Sequence, residues 1–193
     1  MIAVLLASAQ IQVATLAGIE LVANDPFVSR RGPTLAVEIR PVPYLGFSVM
    51  GGVYPNFGQL DWTPLMTEIL EENQIAPDIS RIMSRQRAAA HWFPVNTELG
   101  ELVSSVGLFV GGGLMHTRDD LEVLHEEETR RFVDSEKQAH GSFSWGLTAE
   151  VRRKSIGMRV RFEESRYQEL VGRNKTEKKV PVWFGADLVI WQM

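Results

Sequence analysis

Cysteine is absent from this chain of 193 residues. That excludes a disulfide framework, a thiol nucleophile and a cysteine metal site. Long hydrophobic runs are missing as well: no stretch approaches the ~20 apolar residues that a membrane-spanning helix needs. A β-barrel is untouched by that absence, because its apolar signal is spread over alternate residues. Charge of one sign is not in excess, the formal net being −4, so composition gives no case for nucleic-acid binding. Low-complexity tracts are lacking, and so are repeats beyond a hairpin rhythm. The length suits one domain with a sizeable core.

The first residues, "MIAVLLASAQ", are apolar and close on Ala7-Ser8-Ala9, a small-x-small cleavage pattern before Gln10. There is no basic stretch ahead of them. We read residues 1–9 as the end of an export signal and 10–193 as a single domain.

What the chain does have is alternation. In Ile11–Ala23, the residues Ala17, Ile19 and Leu21 oppose Gly18 and Glu20. In Pro33–Arg40, Leu35, Val37 and Ile39 oppose Thr34, Glu38 and Arg40. Leu45–Tyr54 and Leu102–Met115 repeat the pattern, the latter with Gly107, Gly111 and Gly113 on its polar side; residues 84–95 show it weakly. Residues 142–167 form two strands about a tight turn, one face carrying Phe143, Trp145, Leu147, Val160 and Phe162 and the other Glu150, Arg159, Arg161 and Glu163. Val180–Met193 closes the series, with Phe184, Leu188 and Ile190 opposed to Gly185 and Asp187. The period of two argues for about eight strands.

The links between strands alternate between short and long. Residues 41–44, 94–100 and 153–157 are turns, whereas 55–83 and 117–138 are long, and 24–32 and 168–179 are of medium length. In an up-and-down barrel successive links fall on opposite ends, so one end would be turns and the other loops. Outer-membrane barrels have that asymmetry. Thr63-Pro64 is a fair helix start leading into "LMTEILEEN", and "DDLEVLHEEETRRF" (119–132) is helix-compatible.

The polar faces decide which side meets solvent. A soluble lipocalin-like barrel would turn its apolar faces inward and need a consistently hydrophilic exterior. Here the opposite faces are long glycine-bearing stretches broken by ions of both signs, which suits a narrow interior. Turned that way, Leu, Val, Ile and Phe face lipid. The lumen then holds Glu20, Glu38, Arg40, Glu150, Arg152, Arg159, Arg161, Glu163 and Asp187, with Arg85 and Arg87 joining if the fourth strand takes that phase. Eight strands leave room only for side chains, so these ions would form a paired plug; Arg159 and Glu163 are one expected pair. Tyr44, Trp92, Phe93 and Trp191 are expected in an interfacial girdle at the turn end.

Chemistry is sparse. His91, His116, His125 and His140 show no metal-ligand spacing, and His116 with Asp119 and Asp120 suits a solvated loop. "GGG" (111–113) lacks the Lys-Ser/Thr of a phosphate loop. The best cluster for a lipid-modifying enzyme is Ser142 with His140 and His116, which spacing alone cannot assemble. We assign no catalytic residue, metal or cofactor. Leu65, Met66, Ile69 and Leu70, on one side of the first loop helix, are candidate partner contacts.

The order of motifs resembles the outer-membrane β-barrel domain proteins of myxobacteria and related deltaproteobacteria. It is carried by "NDPFVSRRGPTLAVEIRPVPYLGFSVMGG" (24–52), "APDISRI" (76–82), "HWFPVNTELGEL" (91–102), "GLFVGGGLMHTRDD" (107–120) and "GLTAEVRRKSIGMRVRFEESRY" (146–167). It departs from the family at "PVNTELG", and in ending Trp191-Gln192-Met193 without a terminal aromatic. The resemblance implies a small barrel without chemistry of its own, in some members a component of envelope machinery such as that of gliding motility.

The sequence reading is thus an all-β, eight-stranded antiparallel transmembrane β-barrel with short periplasmic turns and long, partly helical outer loops. It predicts residence in the bacterial outer membrane, contact with lipid and lipopolysaccharide, partners among other envelope proteins, and no nucleic acid. A soluble ligand-binding barrel, a lipid-modifying enzyme and a small pore are the alternatives.

Overall fold

A computed structural model describes residues 11–23, 30–57, 77–124, 130–171 and 175–192. Its strands are β1 (Gln12–Ala23), β2 (Arg30–Val42), β3 (Leu45–Phe57), β4 (Pro77–Leu99), β5 (Leu102–Leu124), β6 (Arg130–Arg153), β7 (Ile156–Val171), β8 (Lys175–Lys179) and β9 (Val182–Gln192). Every pairing is antiparallel, and the sheet closes because β1 pairs with both β2 and β9 while β7 pairs with β6 and β9. β8 and β9 both lie on β7 and make one stave, interrupted at Val180-Pro181. Pro181 has no N–H for the ladder, but its carbonyl still accepts from the Ser165 N–H at 3.0 Å, which holds the stave in place. The result is an eight-stranded barrel.

Its stagger follows from the register. The aligned partners Val13, Ile39, Phe47, Ala90, Val110, Trp145, Glu164 and Val182 lead back to β1 at Ala23, ten residues from the start. Strands so staggered tilt by about 40° and enclose a lumen just wide enough for side chains.

Alternation sets the two faces. Leu35, Val49, Leu147 and Met158 point outward and are exposed, whereas their neighbours Thr34, Met50, Thr148 and Arg159 are buried. Among the described residues thirty large apolar side chains lie bare, far beyond what a water-facing surface carries. On β9 the outward series runs from Val182 to Ile190, nine residues, and a tilted spanning strand uses ~9–11. The exterior is a lipid-facing belt.

Three strands are longer than a membrane requires: β4 and β5 have 23 residues and β6 has 24. For β5 and β6 most of the excess lies at the end of the long links, whereas β4 runs past its β3 partner at both ends, over 93–99 toward the turns and over 77–79 toward the long links. β3 parts from β4 after Phe57↔Ser80, and β7 parts from β6 after Ser142↔Tyr167, while β5 and β6 stay paired to Leu124↔Arg130. A three-stranded blade therefore rises from the rim. This corrects the helix expected over 119–132: all of it outside 125–129 is strand. A helix there must nucleate alone, whereas an antiparallel pair already in register adds bonds without a new nucleus. The first expected loop helix, with Leu65, Met66, Ile69 and Leu70, lies outside the described residues.

The other end is turns, at Pro43-Tyr44, Gly100-Glu101 and Lys154-Ser155. Gly100 and Lys154 take left-handed φ of 64° and 54°. The expected turn at 94–100 shrinks to two residues, because the β4–β5 ladder resumes after a register shift at Trp92/Val95 and runs to Leu99↔Leu102.

Candidate functional site

Among the described residues five arginines and five carboxylates face inward and are buried: Arg40, Arg85, Arg87, Arg159 and Arg161 against Glu20, Glu38, Glu150, Glu163 and Asp187. They stand on every stave except β3 and β5, because each polar-face position of the alternating pattern points to the axis. The numbers of the two signs are equal, so the lumen can be neutral without a counter-ion. Isolated charges in such a place would be prohibitive; paired and hydrogen-bonded they are tolerated.

The network has two tiers. Near the turns, Arg159 meets Glu38 at 2.5 Å and Glu150 at 3.0 Å, and Arg40 meets the same two carboxylates at 2.6 and 2.8 Å. The Trp191 indole N–H adds a bond to Glu150 at 3.0 Å. Phe93 and Trp191 flank the Arg40 guanidinium, their ring centroids 3.8 and 4.6 Å from it. Nearer the rim, Arg161 grips Asp187 at 2.7 and 3.0 Å and reaches Glu20 at 2.9 Å. Arg85 and Arg87 both bond Glu163, Tyr54 donates to Glu20, and Arg85 lies over Trp183 at 4.4 Å. His91 is buried beside the first tier, 2.8 Å from the Ser48 hydroxyl.

Of the lumen residues expected from sequence, Arg152 stays out of this network. It is half-buried at the turn end, where it donates to Gln12 at 3.4 Å and stacks on Trp191 at 4.9 Å. Arg85 and Arg87 are in the network. Arg159 and Glu163 are not partners. Four residues apart on one strand they share a face but stand roughly 13 Å apart, and each pairs across the lumen instead. The aromatic girdle also divides. Tyr44 and Trp92 are outward and exposed, whereas Phe93 and Trp191 are buried inside, since each follows an outward residue and takes the opposite face. Tyr54, His91 and Trp183 were not anticipated. The parity of their strands was the signal that could have found them.

The cluster considered for the alternative of a lipid-modifying enzyme does not assemble. His140 and Ser142 share the inner face of β6, but His116 is on the outer surface beside Ala139. With His116 on the other side of the wall, no acid–base relay joins the three. Among the described residues no cluster of His, Asp and Glu is arranged to hold a metal ion.

No family model matches the chain, and neither does any curated protein. Solved structures do. The major outer membrane protein of Thermus thermophilus superposes with a TM-score of 0.60 at 10% identity, covering 93% of this chain and 99% of that one. Ail, the attachment invasion locus protein of Yersinia pestis, gives 0.50 at 13% identity over 93% and 98%. In complex with the heparin analogue sucrose octasulfate, Ail gives 0.52 at 12% identity over the same shares. Similarity at this level is one of fold. A closed eight-stranded barrel with an apolar exterior and a charged interior is built for the bacterial outer membrane, and this chain is such a barrel.

Proposed function

We propose that the chain is a non-enzymatic structural or interaction subunit of an envelope assembly, the barrel serving as anchor and the β4–β6 blade as contact surface. One contrast carries this reading. The barrel interior is occupied by mutually paired ions, while β4, β5 and β6 continue for more than twice the ~9–11 residues that crossing requires. The buried arginines and carboxylates are tied to one another inside; the described part of the chain that extends from the membrane is sheet. The link carrying Leu65, Met66, Ile69 and Leu70 joins β3 to β4 in sequence. The motif order that resembles the myxobacterial barrel proteins is the ground for naming a motility or export apparatus as the assembly.

The test is the native mass of the tagged protein extracted from outer membranes in mild detergent, with its co-purifying chains identified. A discrete complex is expected. It should be lost when the blade is shortened by joining Asp120 to Ser135, partners across the ladder, through Asn-Gly. A lone barrel-plus-micelle mass for the intact chain would overturn the proposal.

A further inference from the structure

The barrel wall is incomplete at one place. β6 and β7 pair from Arg153↔Ile156 to Ser142↔Tyr167 and no further, although both strands continue. Beyond that point β6 stays with β5, and β7 pairs with β8. The divergence leaves a notch of about 700 Å³ at the rim. Its floor is bare at Gly141, where an added Cβ would meet nothing within 4 Å. Phe143, the last large apolar residue on the outer face of β6 among the described residues, forms the lower lip; Arg166 and Lys178 stand on the β7–β8 side.

Two observations point to a ligand. His140 reaches the notch from the inner face, 8% exposed, its ring 5.7 Å from that of Tyr167, and its Nε2 has no hydrogen-bond partner. A buried ring nitrogen left unpaired is costly unless something comes to meet it. The second observation is charge. Among the described residues, Arg166 and Lys178 line the notch and no carboxylate does. Glu164, one outward position nearer the membrane, holds Arg166 at 2.8 Å yet leaves half of that side chain exposed.

Place selects the ligand. The notch opens where the apolar belt ends, on the side of the long links, which is the outer leaflet. Beside it is a second groove lined by His116, Arg118 and Lys137. Arg118 and Lys137 are direct cross-strand partners, a like-charge pairing that an anion would relieve; Asp120 meets Arg118 at 2.9 Å. Two neighbouring cationic grooves above an apolar wall fit a headgroup with two separated phosphates whose acyl chains lie on Phe143 and Trp145. We propose that this notch binds a phosphate of the bisphosphorylated glycolipid of the outer leaflet, with the second phosphate at Arg118 and Lys137. The site is independent of any role in an assembly.

The experiment is native mass spectrometry of the full-length barrel in detergent titrated with bisphosphorylated hexa-acyl lipid A, folding being checked by heat-modifiable gel migration. One lipid A should be retained, and the double variant Arg166→Gln/Lys178→Gln should weaken binding by about tenfold, two charge-assisted contacts being lost. His140→Phe, which keeps the ring contact with Tyr167 but removes Nε2, should weaken it too. Arg153→Gln at the turn end should bind as the parent does. Phosphatidylglycerol and dephosphorylated lipid A should bind more weakly than the bisphosphorylated form. Unchanged affinity in the double variant would overturn the site, and equal retention of phosphatidylglycerol or of dephosphorylated lipid A would overturn the ligand. Should His140→Phe fail to fold, the double variant decides alone, since both its positions are on the outer surface.

Discussion

Removing Arg159 is the sharpest perturbation of the lumen. Its guanidinium contacts Glu38 at 2.5 and 3.1 Å and Glu150 at 3.0 Å. Without it, two buried carboxylates share Arg40, at 2.6 and 2.8 Å. Breaking a buried ionic cluster by deleting one member costs about 3–5 kcal/mol, so Arg159→Met should lower the folding constant by two to three decades or more, each ~1.4 kcal/mol being tenfold. The comparison is Arg153→Met: Arg153 meets Glu101 at 2.7 Å, but the two side chains are 71% and 54% exposed, and an exposed pair loses at most ~1 kcal/mol. Glu150→Gln added to Arg159→Met removes one of the orphaned charges and should restore part of the loss, a coupling of about 1–3 kcal/mol. Urea titrations of the barrel in lipid vesicles, followed by tryptophan fluorescence and gel migration, measure the three variants together with Glu150→Gln alone. The reasoning fails if Arg159→Met is no worse than Arg153→Met. It also fails if the Glu150→Gln loss simply adds.

Other consequences of the geometry can be checked in the same vesicles. Leu147 sits near the middle of the outward apolar series of β6, so Leu147→Arg should destabilise by ~2–4 kcal/mol, whereas Leu102→Arg at the turn end should cost ~0–1; equal losses would refute the belt. A Cβ at Gly146 would strike the Phe162 carbonyl and come within 2.7 Å of the Phe109 ring, while one at Gly51 meets nothing within 4 Å. Gly146→Leu should therefore prevent folding and Gly51→Leu should not, as read by the yield of the compact gel form. Planar-bilayer recordings should show no discrete channel openings for the parent protein, because equal numbers of opposite charges occupy its lumen; regular conductance steps would refute a plugged interior.

The sequence by itself determined the barrel and the membership of its faces. Period-two alternation is a local property, and once Leu35 and Val37 face out, Glu38 and Arg40 face in. Short links against long links fixed which end is which. Parity also carried the clue to Trp191 and Phe93, each one residue beyond an outward side chain; reading them by aromatic character alone placed them wrongly. Pairing inside the lumen was a different matter. Which ion meets which depends on the ten-residue stagger accumulated around eight staves, a sum of long-range registers that no single strand encodes. Arg159 is thereby set against Glu38, 121 residues away in sequence, rather than against Glu163 on its own strand. The same holds for the end of the β6–β7 pairing at Ser142 and for the blade above it. Local propensity in 119–132 favours helix, and only the neighbouring strand, offering unpaired backbone groups in register, made it sheet.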